Sequence, residues 1–393
     1  MKSKILGDKK IKVIHSYPIW LPQTQTWMYN QVRYLTDDIE SHIVCERTDN
    51  LDQFWLPNIH CLNDHAPKWR SFWDKGLRKL KLRRHLGFLV EVAKSEEASI
   101  LHSHFGQVGW ANLEAARQSG LKHIVTFYGE DVNCYPQNPL WHKRFQQLFD
   151  EVNLILCEGS FMAQCIVNLG CPAEKVKVHH LGVNLEQIKF KPRVWNPNET
   201  LRVLIAASFR EKKGIPYGLE ALGKLQQKVH LEITIIGDAR SGDKISQAEK
   251  KRILETIDKF DLCSKTRLLG YQPHKNFCEQ AYKNHVFLSP SVTAEDGDTE
   301  GGAPVSIIEN IATGMPVIST THCDIPEVSK NSVQNLLAPE RDVDGLVAMF
   351  NWLINYPDQW KKMLEAGREY LEQEYDARKQ GQRLANIYQS IIY

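Results

Sequence analysis

Short apolar runs alternate with longer amphipathic segments through most of this sequence, the pattern of parallel strands joined by crossover helices. In the first half the strand candidates are Ile11 to His15, His42 to Glu46, Ile100 to His104, His123 to Phe127, Leu154 to Cys157 and Val176 to His179. In the second half they are Arg202 to Ala206, Glu232 to Ile236, Thr266 to Leu269, His285 to Ser289 and Pro316 to Ser319. Two doubly wound α/β sheets follow from this alternation. Lys189 to Glu199 is rich in Pro, Asn and charge and lacks periodicity, so it reads as a linker between them. From about Trp360 to Tyr393 the period is helical, with Leu364, Tyr370, Leu371, Leu384, Ile387 and Tyr388 on the apolar face. The expected division is a first domain over 1–190, a second over 200–370, and a final helix over 371–393 that crosses back to the first.

Composition narrows the picture. A chain of 393 residues exceeds one average core, in keeping with two domains. A formal net charge of +2 gives no bulk attraction to nucleic acid, so any charged partner must be met by a local patch. The nine cysteines include no Cys-x-x-Cys pair and read as reduced core thiols. The amino terminus is basic, but Val13 to Tyr17 is too short and polar for a signal-peptide core, and no apolar run approaches the roughly 20 residues of a membrane span. The expectation is a cytoplasmic protein that touches a membrane, if at all, from that side.

The stretch from Thr293 to Glu309 carries the most chemistry. It follows the strand candidate ending at Ser289, precedes a helical segment over Val305 to Ala312, and places Gly301 and Gly302 between the carboxylates of Glu300 and Glu309. Glycines let a backbone approach a diphosphate, and N–H groups at a helix start face an anion. Pro304 suits the first turn of that helix and leaves the N–H groups of Val305 and Ser306 free. A carboxylate suits a vicinal diol because it accepts two hydrogen bonds at once. Lys213 and Arg210, after the strand ending at Ala206, are cations of the kind that stabilise a departing diphosphate. Read blandly, the same residues are helix caps and a solvated basic turn.

Several segments in order resemble the retaining glycosyltransferases of family 4, which have the GT-B architecture of two Rossmann-like, doubly wound domains facing across a cleft. They are Leu101-His102-Ser103-His104-Phe105-Gly106, Thr126-Phe127-Tyr128-Gly129-Glu130-Asp131, His179 to Asn184, Phe209-Arg210-Glu211-Lys212-Lys213-Gly214, Ile235-Ile236-Gly237-Asp238, Leu268-Leu269-Gly270-Tyr271, the 293–309 stretch and Gly314 to Ile318. The resemblance implies a sugar-nucleotide donor as co-substrate, no cofactor and no catalytic metal. It implies Glu309 on the ribose hydroxyls, Glu300 at the donor sugar, Lys213 and Arg210 at the phosphates, and Gly237, Gly301, Gly302, Ala303, Pro304, Val305, Ser306 and Tyr271 around the donor. It also implies a front-face mechanism in which the leaving phosphate takes the acceptor proton, with Tyr128 and Asp131 beside the sugar. Three departures stand out. Eight residues rather than seven separate the two glutamates, Ser208 occupies the position of the usual arginine, and Tyr128 that of a histidine, which removes imidazole base chemistry there.

Other features have two readings each. His102 and His104 share a strand face and are zinc-like ligands, but the sequence offers no third at suitable spacing. Asp296-Gly297-Asp298 is similar to the metal-binding Asp-x-Asp of the other glycosyltransferase fold. The loop Ile19 to Trp27 offers aromatic faces and hydroxyls for an acceptor, or is a capped helix start. The segment 68–84 is basic and interleaved with tryptophan, which suits anionic lipid better than nucleic acid and is otherwise a solvated helix face. The expected partners are a UDP-sugar, or GDP-mannose, and a glycan, lipid-linked or small-molecule acceptor. A GT-B epimerase or phosphorylase, or a donor-binding pseudo-enzyme or partner subunit, is the alternative.

Overall fold

The computed structural model describes residues 10–21, 26–65, 67–328 and 336–393, so Pro22 to Gln25 of the candidate acceptor loop and most of the basic amino terminus lie outside the described residues. The chain divides into two compact units, Met1–Gly182 with Asp376–Tyr393, and Val183–Tyr375.

The first unit is built on a parallel sheet of seven strands in the order Ile59–Cys61, Ile39–Cys45, Ile11–Ser16, Ile100–His104, Lys122–Thr126, Leu154–Cys157, Val176–Val178. The second has six parallel strands in the order Thr266–Leu268, Leu231–Ile236, Leu201–Ala206, Val286–Ser289, Val317–Thr320, Leu337–Ala338. In each sheet the strand order reverses beside the first strand. Such a switch point opens a crevice at the carboxyl ends of the strands, where ligands of doubly wound sheets bind. In the first unit it lies between Ile11–Ser16 and Ile100–His104, and in the second between Leu201–Ala206 and Val286–Ser289.

The strands form where both faces are covered. Val13, Ile14, Ile100, Leu101, Ile124 and Val125 are buried in the first sheet, and Val203, Leu204, Ile233, Ile235, Phe287 and Leu288 in the second. Most expected strand bounds shift by one residue or a few. The edge strands Ile59–Cys61 and Leu337–Ala338, and the short pair Ile19–Trp20 with Arg47–Thr48, have no counterpart among the sequence candidates.

The segment 189–199 is not a free linker. The chain leaves the first unit at Gly182, and Arg193 is buried in the second, where it donates to the carbonyls of Asn284, Thr313 and Ala281. The carboxyl-terminal helical stretch is two helices, Trp360–Glu374 in the second unit and Ala377–Ile392 in the first. Asp376 divides them by capping the amides of Arg378 and Lys379. Leu384, Ile387 and Tyr388 then join Ile11, Val13, Ile100 and Leu156 in one core cluster. All nine cysteines are free thiols, Cys263 exposed rather than in the core. Among the described residues no helix is long and apolar enough to cross a membrane.

Candidate active site

In the second unit two loops meet at the switch point. After Leu201–Ala206 the chain makes a single 3-10 turn over Glu211–Lys213 and reverses at Gly214, whose φ is 60°. A Cβ there would lie 1.8 Å from the Pro290 carbonyl oxygen, so only glycine permits this approach of the two loops. Val292 N donates to Lys212 O at 2.9 Å and ties the loops together.

The approach delivers the cations to the acidic run. Lys213 Nζ donates to Glu300 Oε2 at 2.7 Å, and Ser291 Oγ to Oε1 at 2.9 Å. Burial alone would raise the Glu300 pKa. The ammonium groups of Lys213 and Lys212, with the hydrogen bonds from Lys213 and Ser291, outweigh it and hold the carboxyl below its ordinary range. Lys212 Nζ donates to Asp298 Oδ1 at 3.0 Å, and Arg210 Nη2 to Asp298 Oδ2 at 2.9 Å. Asp298 is thereby the buried counterion of Arg210 and Lys212, while Asp296 Oδ1 accepts the amide of Asp298 at 2.9 Å. The Asp-x-Asp run thus serves the loop itself. Arg210 directs part of its guanidinium to Asp298, a partner the sequence reading did not assign.

A histidine that sequence reasoning missed orients Glu300. His322 follows the strand Val317–Thr320, and its Nε2 accepts the Glu300 amide at 3.0 Å, so its proton sits on Nδ1 and is donated to Glu340 Oε1 at 2.6 Å. Glu340 also takes the amide of Thr293 at 2.7 Å. The signal was present only as a histidine just past a strand end.

Beyond Glu300 the turn uses its glycines unequally. Gly301 has φ 78° and needs to be glycine, whereas Gly302 has no such requirement. Pro304, expected within the first helical turn, instead stands one residue earlier as the N-cap, with φ −55° and ψ 130°. Ala303 precedes it, and the helix Val305–Ala312 begins with Val305 and Ser306, whose N–H groups precede the first intrahelical acceptor. One turn on, Glu309 Oε1 receives His274 Nε2 at 2.8 Å. The Cys278 sulfur beside the ring and the Glu309 carboxylate raise the His274 pKa to about 10, so an exposed cation stands next to this glutamate at neutral pH. His274 was also missed; its link to Glu309 spans two elements. Gly237, with φ 128°, packs against the Ala207 carbonyl and bridges to Gly270, so its part is to hold neighbouring strand ends together; Tyr271 beside it is exposed.

The first-unit candidates face inward. Asp131 is fully buried, and its oxygens accept the amides of Gly106 at 2.8 Å, Tyr128 at 3.0 Å and Gly129 at 2.9 Å. Burial raises its pKa to about 6, with the amide bonds opposing. Asp131 stands inside the helix Glu130–Asn133, whose N-cap is Gly129, and its carboxylate draws the chain before that helix onto the loop at Gly106. Tyr128 donates to Gln31 Oε1 at 3.1 Å and therefore accepts from His104 Nδ1 at 2.6 Å; His104 Nε2 in turn takes the proton of His15 Nδ1 at 3.2 Å. The Asp131 carboxylate and the Tyr128 hydroxyl thus both have partners within the first unit.

The third histidine that the sequence lacked is His15, 89 residues before His104. Ring nitrogens of His15, His102 and His104 lie within 4.8 Å of one another, as do ligand atoms of His42, His60 and Glu96. The nitrogens of His102 are already bonded to the hydroxyls of Tyr388 at 2.7 Å and Thr126 at 2.6 Å. Of the candidate acceptor loop, Trp20 is fully buried and Trp27 half-buried near Tyr128.

The sequence matches the family described as Glycosyltransferase Family 4 over residues 24–187 and that described as Glycosyl transferases group 1 over 187–370. It is 32% identical over 293 residues to the amylovoran biosynthesis glycosyltransferase AmsK of Erwinia amylovora, covering 74% of this chain and 70% of that protein. It is 30% identical over 309 residues to the putative colanic acid biosynthesis glycosyltransferase WcaL of Escherichia coli strain K12, covering 77% and 73%. Among solved structures, Anabaena Alr3699/HepE in complex with UDP and glucose superposes with a TM-score of 0.76 at 14% identity, over 97% of this chain and all of that one. That likeness is one of fold, and the fold is GT-B.

Proposed function

We propose that this chain, which belongs to the group 1 glycosyltransferases, moves a sugar with retention from a UDP-sugar to a hydroxyl acceptor in the assembly of a surface polysaccharide or glycolipid. The observation that carries the reading is the switch-point cluster of the second unit: Lys213 on Glu300, followed within one glycine turn by a helix start and Glu309. Lys213 and the first amides of the helix Val305–Ala312 stabilise the diphosphate as it gains charge, which lowers the barrier more than it tightens binding. Glu309, beside protonated His274, accepts the ribose hydroxyls. The bond from the anomeric carbon to the diphosphate oxygen breaks, the acceptor oxygen bonds to that carbon on the same face, and the acceptor proton passes to the leaving diphosphate. No side-chain base is required, in keeping with the inward commitment of Tyr128 and Asp131.

Polysaccharide assembly is supported by the amylovoran and putative colanic acid biosynthesis roles of the two bacterial relatives, and the UDP-sugar by the ligands of the Anabaena protein; GDP-mannose is the alternative donor. The exposed Trp69, Phe72 and Trp73, spaced i, i+3, i+4 on the helix Lys68–Lys79 among basic residues, suit peripheral contact with a cytoplasmic membrane face. The test is incubation of the whole protein with labelled UDP-sugars and GDP-mannose, with EDTA in a parallel series. Slow nucleotide release that survives EDTA is expected. Nucleotide binding without turnover in any acceptor would instead favour a partner subunit, and interconversion of the free sugar nucleotide an epimerase. As a site check, Glu309→Gln is expected to weaken nucleotide binding about tenfold; unchanged affinity would remove Glu309 from the site.

A further inference from the structure

The two histidine groups of the first unit are differently engaged. His15, His102 and His104 are sealed in the core, and both nitrogens of His102 already hold hydroxyls. The second group stands at the edge of the same sheet. His42 lies on the strand Ile39–Cys45 and His60 on its neighbour Ile59–Cys61, with Val44 in register with His60. Residues two apart share a strand face, so His42 projects to the side on which Val44 packs with Leu89, Val92 and Ala93 of the helix Gly87–Ser95. Phe88 of that helix stands against the His60 ring, with centroids 6.5 Å apart. The helix ends over the two imidazoles: Glu97, with φ 52°, reverses the chain, Ala98 N donates back to Ala93 O at 3.0 Å, and the C-cap residue Glu96 reaches His42.

The atoms that meet here are ligand atoms. His42 Nδ1 lies 3.2 Å from His60 Nε2 and 3.9 Å from Glu96 Oε2, and the three side chains offer one ligand atom each within 4.8 Å of one another. Two nitrogens bound at about 2.0–2.1 Å to a tetrahedral zinc ion are themselves about 3.3–3.4 Å apart. The histidine pair therefore needs almost no movement, and the half-buried Glu96 side chain closes by rotation. The tautomer is fixed from the far side of the ring. His42 Nε2 donates to Glu40 Oε1 at 3.0 Å, so the neutral imidazole presents its Nδ1 lone pair to the cluster. A carboxylate on the far nitrogen orients a metal-bound imidazole and makes it a stronger donor. Lys12 Nζ, 3.7 Å from Glu40, offsets one of the two carboxylates and leaves the group a net negative charge.

We propose that His42 Nδ1, His60 Nε2 and the Glu96 carboxylate bind one zinc ion, with water as its fourth ligand. Two imidazoles and a carboxylate suit zinc and the later first-row divalent ions, whereas magnesium takes oxygen ligands in an octahedral array. To admit the ion, His60 moves its ring proton from Nε2 to Nδ1, and both ring lone pairs then face the metal. The ion is structural. It ties the edge strand Ile59–Cys61, joined to its neighbour by three residue pairs, and the end of the helix Gly87–Ser95 to the strand Ile39–Cys45. All three ligands belong to the first unit, whereas Lys213, Glu300 and Glu309 belong to the second, and the transfer proposed above uses no metal. Without an ion the same groups are a histidine–histidine hydrogen bond beside a surface carboxylate.

The test strips the whole protein with EDTA, removes the chelator by gel filtration and titrates Zn²⁺ calorimetrically, with Mg²⁺ as a separate arm and Co²⁺ as the spectroscopic probe. One equivalent of Zn²⁺ is expected to bind and to raise the melting temperature, with no such effect of Mg²⁺. Co²⁺ should give the visible bands of a four-coordinate ion and no thiolate charge-transfer band. His42→Gln and Glu96→Gln each remove a ligand and should weaken Zn²⁺ about a hundredfold or more. Glu40→Gln leaves every ligand in place and should weaken it about 10–100-fold. Absence of Zn²⁺ binding, or wild-type affinity in both ligand variants, overturns the site. A thiolate band also overturns it, by moving the ion to a cysteine such as Cys278 beside His274. Wild-type affinity in Glu40→Gln overturns the orienting role of that carboxylate. If circular dichroism shows His42→Gln to be misfolded, Glu96→Gln decides, because its side chain is half-buried at a helix end. UDP titrated into the stripped protein should bind as it does with zinc present; a loss would overturn the structural role and make the ion part of donor binding.

Discussion

Lys213 and Glu300 depend on each other in a way that separates folding from catalysis. Glu300 is nearly buried, and removing its cation leaves a charge with Ser291 as its remaining side-chain donor. Breaking such a pair costs about 3–5 kcal/mol, whereas removing both charges can be nearly neutral. Lys213→Met is therefore expected to destabilise the second unit by about 3 kcal/mol and to lower kcat by roughly 10²–10³, the size of effect seen when one preorganised donor to a developing anion is lost. The double variant Lys213→Met with Glu300→Gln should regain most of the stability in urea titrations and none of the rate. A rate that recovers along with stability would make Lys213 a structural residue only. In the first unit, Asp131→Asn places an amide NH₂ where three backbone N–H groups converge. It should cost about 2–4 kcal/mol in the same titration, and a silent substitution would contradict the convergence of the three amides on this carboxylate. The sequence made Lys213, Glu300 and Glu309 legible because each stands at a fixed offset from a strand or helix end. It could not show that Arg210 and Lys212 find their counterion in Asp298, 88 and 86 residues on, although a basic turn and an acidic turn after adjacent strands were a usable signal.

At the scale of elements, the central strands were legible because they are buried on both faces and read as unbroken apolar runs. The edge strands Ile59–Cys61 and Leu337–Ala338 are too short to give a period, and only pairing with a longer neighbour makes them strands. The last helix, Ala377–Ile392, was visible as a periodic segment, but its break from Trp360–Glu374 rests on the single cap at Asp376. Its seating depends on Gly381. A Cβ at this position would lie 1.9 Å from the Tyr34 carbonyl oxygen, a backbone atom that no side-chain rotation can move aside. Gly381→Ala should destabilise the first unit by about 1–3 kcal/mol despite the better helix propensity of alanine. Tyr388, two turns further on, would lose its hydroxyl contact to His102 as the helix shifts. Urea unfolding followed by tyrosine and tryptophan fluorescence checks this, and a stabilised variant would mean that the helix does not pack where the glycine places it.

At the scale of the whole molecule, the two units are expected to part company in acid. Five histidines of the first unit are buried and neutral: burial depresses His104, His123 and His179 to about 3, and His15 and His102 also lie well below the ordinary value of 6.5. The unfolded chain takes up protons near 6.5 and the folded one does not, so stability is lost as pH falls through that value, by up to about 1.4 kcal/mol per histidine per pH unit. Asp131, raised to about 6, acts in the opposite direction between 6 and its ordinary value of 3.8, but it is one group against five. The combined slope approaches about 7 kcal/mol per pH unit, reduced by about 1.4 for Asp131 below pH 6, so that by pH 4.5 the loss is of the same order as a typical domain stability of about 5–15 kcal/mol. In the second unit His285, lowered to about 4 by burial and Arg202, is the described histidine with a resolved shift in this sense. Its depressed carboxylates Glu300, Glu340 and Asp238 lose their contribution only below the ordinary carboxylate range. Amide exchange at pH 7, 6 and 5 should therefore show protection vanishing first from the strands Ile11–Ser16, Ile100–His104 and Lys122–Thr126, while Leu201–Ala206 and Val286–Ser289 remain protected. Simultaneous loss, or loss from the second unit first, would mean that these imidazoles are not held neutral and that the hydrogen-bonded run from His15 through His104 to Tyr128 is not the buried network described.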